Sequence, residues 1–349
     1  MTPTDRKPTI FDIARLSGAS PSTVSAALSA SWKSRRISEA TVETIRRIAA
    51  EQGYSTNMQA RGLRQGRSGL VGMIIPLHDN RYFSSMSQSF EAEARSRGLV
   101  PVIASSMRDA REELRIVDTL ISYAVESLFI AGATDPDAIT RQCRAAGMRH
   151  IFVDLPGKGA HSVISDNYEG AAILTRKLLS LQKPRADPQL DRLFFLGGIA
   201  TTYATSRRIE AFRETVSAAG APLSDDQVIT CGYSPKSAMA EIEALMMRLG
   251  GLPAGLFINS VTAFEGVLGH FVHLPPQTFD LSVIGCYDYD PFAAYLQFPV
   301  HMVRQDSHGL IEQAWRLLDA PPQYPVVIEV KPQLIPERTI YSGPFSDQG

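Results

Sequence analysis

Four hydroxyl side chains fall within six residues near the N-terminus, at Ser20, Ser22, Thr23 and Ser25. Hydroxyl groups donate hydrogen bonds to phosphate oxygens and to the edges of bases. Three cations follow within a short loop, at Lys33, Arg35 and Arg36. Because such cations neutralise phosphates and release the counterions of DNA, this grouping predicts contact with a polyanion.

A second group of polar side chains lies at the ends of predicted strands in the rest of the chain. Asp154, Asn259 and Asp288 each follow or end a short apolar run. The carboxyl ends of parallel strands form one edge of a sheet, where α/β proteins bind small ligands. Carboxylates and amides form hydrogen bonds with hydroxyl groups, so we expect a polar small molecule at this edge.

Short helices are predicted to position the first group. Apolar residues at helical spacing predict a helix over Ile10–Ser17, and Gly18 ends it. Ser20 is the expected N-cap of a second helix, which has Pro21 at its first position and runs to Leu28. The pattern is therefore a helix, a tight glycine turn and a helix.

A third helix and a marked charge asymmetry complete the N-terminal segment. Ser38 is the expected N-cap of a helix from about Glu39 to Gln52. Residues 1–67 contain eleven Lys and Arg but five Asp and Glu, an excess of six positive charges, whereas the whole chain carries −1. A small basic module ahead of an acidic body is typical of a headpiece that binds nucleic acid.

From Gly69 onward, short apolar runs alternate with amphipathic stretches, which predicts βαβ units and parallel sheets covered on both faces. About 280 residues are more than one such sheet holds, so we expect two lobes. The predicted strands are Leu70–Ile75, Leu99–Ala104, Ser127–Ala131, Ile151–Asp154, Leu193–Leu196, Gly255–Ile258 and Leu281–Ile284. Helices are predicted between them, including Ser84–Arg97 and Arg111–Tyr123. The expected fold class is a small all-α helix-turn-helix headpiece followed by a two-lobed α/β domain with two parallel, doubly wound sheets.

The sequence argues against several other classes. It has no apolar run of eighteen residues and begins with a polar segment, so we expect a cytoplasmic protein with no membrane partner. Its three cysteines are far apart and show no metal-ligand spacing. Motifs for phosphate loops, zinc hydrolases and nucleophile elbows are not found, so neither an enzyme nor a bound cofactor is expected.

The order of residues from Thr9 to Leu28 resembles the headpiece of the lactose-repressor (LacI) family. The family signature is met at Asp12, Ala14, Gly18, Ser20, Thr23, Val24, Ser25 and Leu28. The resemblance implies phosphate contacts by Thr9 and Ser20, base contacts by Pro21, Ser22 and Ala26, and a supporting role for Thr23 and Ser25.

Two departures from the family pattern bear on DNA recognition. Pro21 and Ala26 stand where many members have long polar side chains, so Ser22 becomes the expected base donor. The loop Ser29–Ile37 resembles the fructose-repressor branch, and its Lys33, Arg35 and Arg36 are expected to contact phosphate. A three-helix bundle without a role in DNA binding is the alternative.

The stretch Tyr54–Arg64 resembles the family's hinge helix. The resemblance makes Asn57 its start, Ala60 the small residue near the floor of the minor groove, and Leu63 the wedge between two base pairs. Gly62 weakens an isolated helix, so the hinge is expected to fold on DNA. A plain linker is the alternative.

The resemblance continues from Gly69 to about Arg338 and implies a division of the chain. The headpiece is expected at 1–53, the hinge and linker at 54–68, and the effector-binding and dimerisation domain at 69–349. Within that domain, the N-terminal lobe is expected at 69–165 plus 304–325, and the C-terminal lobe at 166–303 plus 326–341.

The resemblance also implies an effector site between the lobes. Its expected residues are Asp79, Asn80, Tyr82, Phe83, Asp154, Arg208, Asn259, Asp288 and Gln305, the last on a crossover strand. Alternatives stay open: the two strand-end aspartates could cap turns, the two aromatic residues could belong to the core, and Arg207 could replace Arg208.

Together these features predict a DNA-binding transcriptional regulator that acts as a homodimer on double-stranded operator DNA. Repression of a carbohydrate operon is the expected outcome, and a small sugar or sugar phosphate is the expected effector. The fructose-branch features favour fructose or a sugar phosphate. A periplasmic sugar-binding protein would share the two-lobed plan but would lack residues 9–63. Whether the effector releases or recruits DNA stays open.

Overall fold

Internal contacts divide the chain into two units, Met1–Gly69 and Leu70–Gly349. The computed structural model describes residues 8–29, 32–54 and 67–337. None of the helices within these ranges combines the length and the hydropathy that crossing a membrane requires.

Three helices form the described part of the first unit: α1 (Ile10–Ser17), α2 (Pro21–Ala27) and α3 (Glu39–Glu51). Gly18 ends α1 in the left-handed conformation, with φ of +66°. The hydroxyl oxygen of Ser20 accepts the N–H of Thr23, and that of Ser38 accepts the N–H of Thr41. The predicted caps and the glycine turn are therefore confirmed.

Apolar side chains from all three helices meet in the core of this unit. Ile13, Val24 and Ile45 are fully buried, and Val42 joins them with 3% of its surface exposed. This core fixes the angle at which α2 leaves the glycine turn, so the outward face of α2 is held rigidly.

The second unit contains two lobes, each built on a six-stranded sheet. The strands of the first sheet are β1 (Leu70–Ile75), β2 (Val100–Ser105), β3 (Leu128–Ala131), β4 (His150–Val153), β5 (Ser162–Ser165) and β11 (Val327–Val330). This sheet is wholly parallel and has the order β11-β5-β4-β3-β1-β2. Its helices are α4 (Arg81–Ser96), α5 (Ala110–Ser122), α6 (Pro136–Ala145) and α11 (Ser307–Asp319).

The strands of the second sheet are β6 (Leu193–Leu196), β7 (Val228–Ile229), β8 (Gly255–Ile258), β9 (Val283–Tyr287), β10 (Val300–Arg304) and β12 (Gln333–Ile335). This sheet repeats the order of the first as β12-β10-β9-β8-β6-β7 and is parallel except for the antiparallel edge strand β12. Its helices are α7 (Asn167–Leu181), α8 (Tyr203–Ala218), α9 (Pro235–Leu249) and α10 (Val261–Phe271).

Both faces of each sheet are buried, as the near-continuous apolar strands predict. In β1, Val71, Met73 and Ile75 pack into one core cluster, while Ile74 packs into the cluster on the opposite face. The strand order reverses between β1 and β3 and again between β6 and β8, and ligands bind at such points in open α/β sheets.

The boundary between the lobes differs from the expected one near the C-terminus. Residues 326–341 were expected in the second lobe, but β11 pairs with β5 in the first sheet. The cause is that β4 pairs with only one edge of β5, so the other edge is open to β11, whose backbone pairs with it in parallel. The chain then crosses back after Val330, and only β12 joins the second sheet among the described residues beyond it.

The close packing of α9 and α10 yields a stability prediction. A Cβ atom on Gly266 would lie 2.0 Å from the backbone oxygen of Pro235, and backbone cannot give way cheaply. Gly266→Ala should therefore lower the free energy of unfolding by about 1–3 kcal/mol, measured by urea denaturation.

Gly269 in the same helix supplies the control, because a Cβ there would meet only the flexible Met239 Sδ at 3.3 Å. Gly269→Ala should be neutral or stabilising by up to about 1 kcal/mol. Equal effects of the two substitutions would contradict the described packing of these helices.

Candidate functional site

Hydroxyl groups at the start of α2 form one connected group. Ser20 Oγ lies 2.8 Å from both Ser22 Oγ and Thr23 Oγ1. Ser20, Pro21 and Ser22 are exposed, whereas Thr23 and Ser25 are half-buried. The first turn of this helix therefore presents donors and acceptors at the place where helix-turn-helix proteins contact phosphate and bases.

Thr9 supports the start of α1. Its backbone N–H and its hydroxyl both donate to Oδ2 of Asp12, at 2.8 and 2.7 Å. This reciprocal cap fixes the entry to the first helix, and the half-buried Thr9 keeps part of its surface accessible.

Ala26 departs from its expected role as a residue that faces bases. Its side chain is 3% exposed. The chain turns back at this point, where the N–H and the hydroxyl of Ser29 both donate to the Ala26 carbonyl oxygen, at 3.3 and 3.1 Å. A covered methyl group does not present itself to a base edge, so the burial of Ala26 does not support its assignment as a base contact.

The basic loop after α2 carries its three cations outward. Lys33, Arg35 and Arg36 are exposed, and the Lys33 ammonium lies 5.3 Å from the centre of the Trp32 ring. The predicted hinge residues Asn57, Ala60 and Leu63 lie outside the described residues.

In the second unit, seven of the expected effector residues line one cavity of about 100 Å³ between the two lobes. They are Asn80, Tyr82, Phe83, Asp154, Arg208, Asp288 and Gln305. Asn80, Asp154, Asp288 and Gln305 follow strand ends, whereas Tyr82 and Phe83 lie in the first turn of α4 and Arg208 lies within α8. Their convergence fits a polar small-molecule site.

Arg208 is the cation on the second lobe's side of this cavity. It is 5% exposed, donates from Nε to Asn167 Oδ1 at 2.8 Å, and donates from Nη1 to the Asn259 carbonyl oxygen at 2.7 Å. Its guanidinium carbon lies 3.7 Å from the centre of the Tyr287 ring. The neighbouring Arg207 instead pairs with Glu210 on the outer surface, so the structure selects Arg208.

Asp154 faces the cavity from the first lobe. The Tyr82 hydroxyl donates to its Oδ1 at 3.0 Å. Its backbone has φ of +76°, a conformation that non-glycine residues rarely adopt and that clusters at functional sites. Burial raises the pKa of Asp154, and the Tyr82 hydrogen bond and the nearby Arg208 partly oppose that rise.

Asp288 and Gln305 form a joint polar group at the crossover between lobes. Asp288 Oδ2 accepts Gln305 Nε2 at 3.0 Å, and its Oδ1 accepts the N–H groups of Gln305 and Tyr289. Gln305 follows β10 instead of lying on it. Its Oε1 is buried and has no hydrogen-bond partner among the described residues, which makes it an acceptor available to a ligand hydroxyl.

Two expected residues do not line this cavity. Asp79 lines a neighbouring cavity of about 580 Å³, to which Asn80 also contributes. Asn259 is fully buried behind Arg208, where its carbonyl oxygen holds the guanidinium. Phe83 combines both of its proposed roles: it is 4% exposed within the core of the first lobe and still borders the cavity.

Sequence reasoning missed Arg108, Tyr233 and Tyr287, which also border the cavity. Arg108 has φ of +59°, and its guanidinium carbon lies 5.9 Å from the Phe83 ring centre and 5.2 Å from that of Tyr233. The positive φ of Arg108, soon after the end of β2, would have marked it as a candidate site residue. Residue types alone do not reveal backbone angles.

Two family models match the chain. The description "Bacterial regulatory proteins, lacI family" covers residues 9–57, and "Periplasmic binding protein domain" covers residues 71–269. The Ribitol operon repressor of Klebsiella aerogenes is 47% identical over 197 residues, which are 56% of this chain and 73% of that relative.

Solved structures share the fold. The Cra transcriptional dual regulator from Pseudomonas putida, in complex with fructose 1-phosphate, has a TM-score of 0.67 and 22% identity, and the match covers 76% of this chain and 98% of that chain. The Lac repressor dimer bound to operator and the anti-inducer ONPF has a TM-score of 0.77 and 16% identity, over 96% of this chain and 99% of the other.

The buried carboxylate of Asp288 generates a pH prediction. Burial raises its pKa to about 6, although the hydrogen bonds from Gln305 and Tyr289 lower it in part. Because the folded state holds this proton more tightly than the unfolded chain, the resulting stability is present below about pH 4 and is lost as pH rises through about 6. The unfolding free energy of wild type minus that of Asp288→Asn should fall by up to about 3 kcal/mol across this window.

Asp109 serves as the control. Backbone N–H groups of Glu112 and Arg111 lower its pKa, so its contribution is lost only in more acidic solution. The corresponding difference for Asp109→Asn should be flat between pH 4 and 7. A flat difference for Asp288→Asn as well would mean that the Asp288 carboxylate is solvated.

Proposed function

The chain belongs to the LacI family of bacterial regulatory proteins, and we propose that it represses an operon for uptake or breakdown of a short polyol such as ribitol. The headpiece binds operator DNA, and a small molecule between the lobes controls that binding. The observation that carries the effector part is the convergence of Asn80, Tyr82, Asp154, Arg208 and Gln305 on one cavity.

The balance of charge at the cavity favours a neutral effector. Arg108 and Arg208 face Asp154 and Asp288, so two cations meet two carboxylates. A phosphorylated sugar would add about two negative charges without an extra cation to compensate them. The 47% identity to the ribitol regulator, against 22% to the fructose 1-phosphate complex, points the same way.

The enclosed part of the site favours a small effector. Its volume of about 100 Å³ lies below the usual range of about 300–1,000 Å³ for ligand pockets, and it adjoins a cavity of about 580 Å³ that shares Asn80, Tyr233 and Thr262 with it. Gln305 Oε1, which has no hydrogen-bond partner among the described residues, and the carboxylate of Asp154 can accept hydrogen bonds from ligand hydroxyl groups. The remaining N–H groups of Arg208 can donate hydrogen bonds to ligand oxygens. A chain of hydroxyl groups satisfies acceptors and donors together, as a polyol does.

The DNA-binding end is proposed to act as a dimer. Two headpieces, related by two-fold symmetry, would meet two half-sites of a pseudo-palindromic operator in the cytoplasm. Thr9 and Ser20 contact phosphate, Pro21 and Ser22 face bases, and Thr23 and Ser25 support the docking. From the family resemblance, Leu63 is proposed as the wedge in the minor groove, Ala60 as the small residue near the floor of that groove, and Asn57 as the start of the hinge.

Isothermal titration calorimetry of the full chain tests the effector. Ribitol should bind, whereas sucrose and fructose 1-phosphate should bind much more weakly because of size and charge. Arg208→Ala should weaken ribitol binding at least about tenfold, since hydrogen bonds from a charged group contribute about 1.5–3 kcal/mol.

Arg207→Ala is the matched control, because Arg207 pairs with Glu210 at the surface. Its ribitol affinity should equal that of wild type. Preferred binding of fructose 1-phosphate would overturn the polyol assignment, and an unchanged affinity of Arg208→Ala would overturn the site.

The exposed cations of the basic loop predict the salt dependence of DNA binding. Replacing Lys33, Arg35 and Arg36 by Ala should lower the slope of log affinity against log salt by about 0.9 for each phosphate that is no longer neutralised, or about 2–3 in total. Fluorescence anisotropy with operator DNA at several salt concentrations measures the slope.

Arg47→Ala gives the comparison, because Arg47 is already engaged with Glu51 at 2.7 Å. Its slope should change by less than that of the triple variant. If the triple variant keeps the wild-type slope, the basic loop does not touch phosphate.

A further inference from the structure

An ion pair joins the two lobes outside the effector cavity. Arg81, the first residue of α4 in the first lobe, donates from Nε to Asp290 Oδ2 at 2.9 Å in the second lobe. The other carboxylate oxygen of Asp290 accepts the N–H of Phe292 at 2.9 Å, at the start of the short 3-10 helix Pro291–Tyr295. Asp290 is thus held in place by its own helix before it meets Arg81.

Further contacts cross the cleft beside this pair. The guanidinium carbon of Arg81 lies 5.6 Å from the centre of the Phe292 ring, within the range of a cation–π contact. The side-chain amide of Asn80 lies 3.5 Å from the hydroxyl oxygen of Thr262 in the second lobe. The Asp290 carboxylate is 15% exposed and the Arg81 side chain 43%, so the pair is partly shielded from water.

Both members of the ion pair are close in sequence to residues that line the effector cavity. Arg81 lies between Asn80 and Tyr82, and Tyr82 donates to Asp154. Asp290 comes two residues after Asp288. Arg81 and Asp290 themselves do not border that cavity but line the adjoining cavity of about 580 Å³, which shares Asn80 with it. Any movement of the lobes that separates this pair must also displace effector contacts on both sides.

We propose that Arg81 and Asp290 form a cross-lobe clamp that positions the two walls of the effector cavity without touching the effector. The effector part of this inference rests on the proposed function, whereas the clamp itself rests on the geometry alone. A ligand that contacts both lobes binds more tightly when the lobes are already held together, because less of its binding energy is spent on ordering them.

The same helix offers a matched control at its other end. Arg97 follows α4, pairs with Asp319 at 2.6 Å, and lies 4.5 Å from the ring centre of Trp315. This arrangement repeats the chemistry of the clamp, an arginine on a carboxylate and an aromatic ring, but all of its members lie in the first lobe. Arg97→Ala therefore removes a similar interaction without changing the hold between lobes.

The first measurement needs no ligand. Hydrogen exchange of the full chain should become at least about threefold faster in Arg81→Ala at residues 80–85 and at residues 288–293, because both edges of the cleft lose their hold. Arg97→Ala should leave the exchange at residues 288–293 unchanged. If hydrogen exchange in Arg81→Ala stays at the wild-type rate at both residues 80–85 and residues 288–293, the clamp proposal is overturned.

The second measurement uses ribitol as the probe. Arg81→Ala and Asp290→Asn should each weaken ribitol binding about threefold to tenfold. The double variant with the two charges swapped, Arg81→Asp with Asp290→Arg, should recover part of the lost affinity. Arg97→Ala should bind ribitol as wild type does. Equal affinity in all variants would overturn the positioning role. If wild type does not bind ribitol, the proposed effector fails, and the exchange measurement alone decides the clamp.

Discussion

The burial of the Arg208 guanidinium is the constraint on which the effector site depends. A charge that is 5% exposed costs several kcal/mol unless hydrogen bonds and nearby polar groups replace water. Asn167, Asn259 and the ring of Tyr287 supply that replacement, and they come from the start of α7 and from the ends of β8 and β9. Satisfying one cation therefore fixes the ends of several elements of the second lobe. Hydrogen bonds among the described residues use Nε and Nη1, so other N–H groups of Arg208 are available to a ligand.

Two carboxylates, Asp154 from the first lobe and Asp288 from the crossover, face two cations at the cavity, Arg208 and Arg108. Burial raises the pKa of both carboxyl groups, whereas the charge of Arg208 opposes that rise. The cavity is consequently polar but balanced, which suits a neutral polyhydroxy molecule. The cross-lobe ion pair of Arg81 and Asp290 comes from the same two loops as Asn80 and Asp288. These two short segments therefore carry both the contact between the lobes and several effector contacts.

Local rules predicted the headpiece and most of the sheets well. Glycine at the end of α1 and serine caps at Ser20 and Ser38 act within a few residues, so their geometry is readable from residue types. The apolar runs of β1, β6 and β8 were predicted with the observed bounds. The strands β7 and β12 were missed because two or three residues carry little pattern, and β5 because only two of its four residues are apolar. The strand β11 was also missed, and its pairing depends on a distant edge. Ala26 is buried, and Asp79 and Asn259 do not line the cavity, for a related reason: motif position fixes the backbone, but burial depends on neighbours that are remote in sequence.

Under the proposed function, operator DNA and a polyol regulate each other's binding through this one chain. The most direct test measures the affinity of the full chain for an operator fragment with and without saturating ribitol, and the affinity for ribitol with and without that fragment. Linkage requires the two ratios to be equal, at about 5-fold to 150-fold for a coupling free energy of about 1–3 kcal/mol. Equal ratios of this size would support the account. Binding of both ligands with ratios of one would contradict it, because the cavity and the headpiece would then be independent.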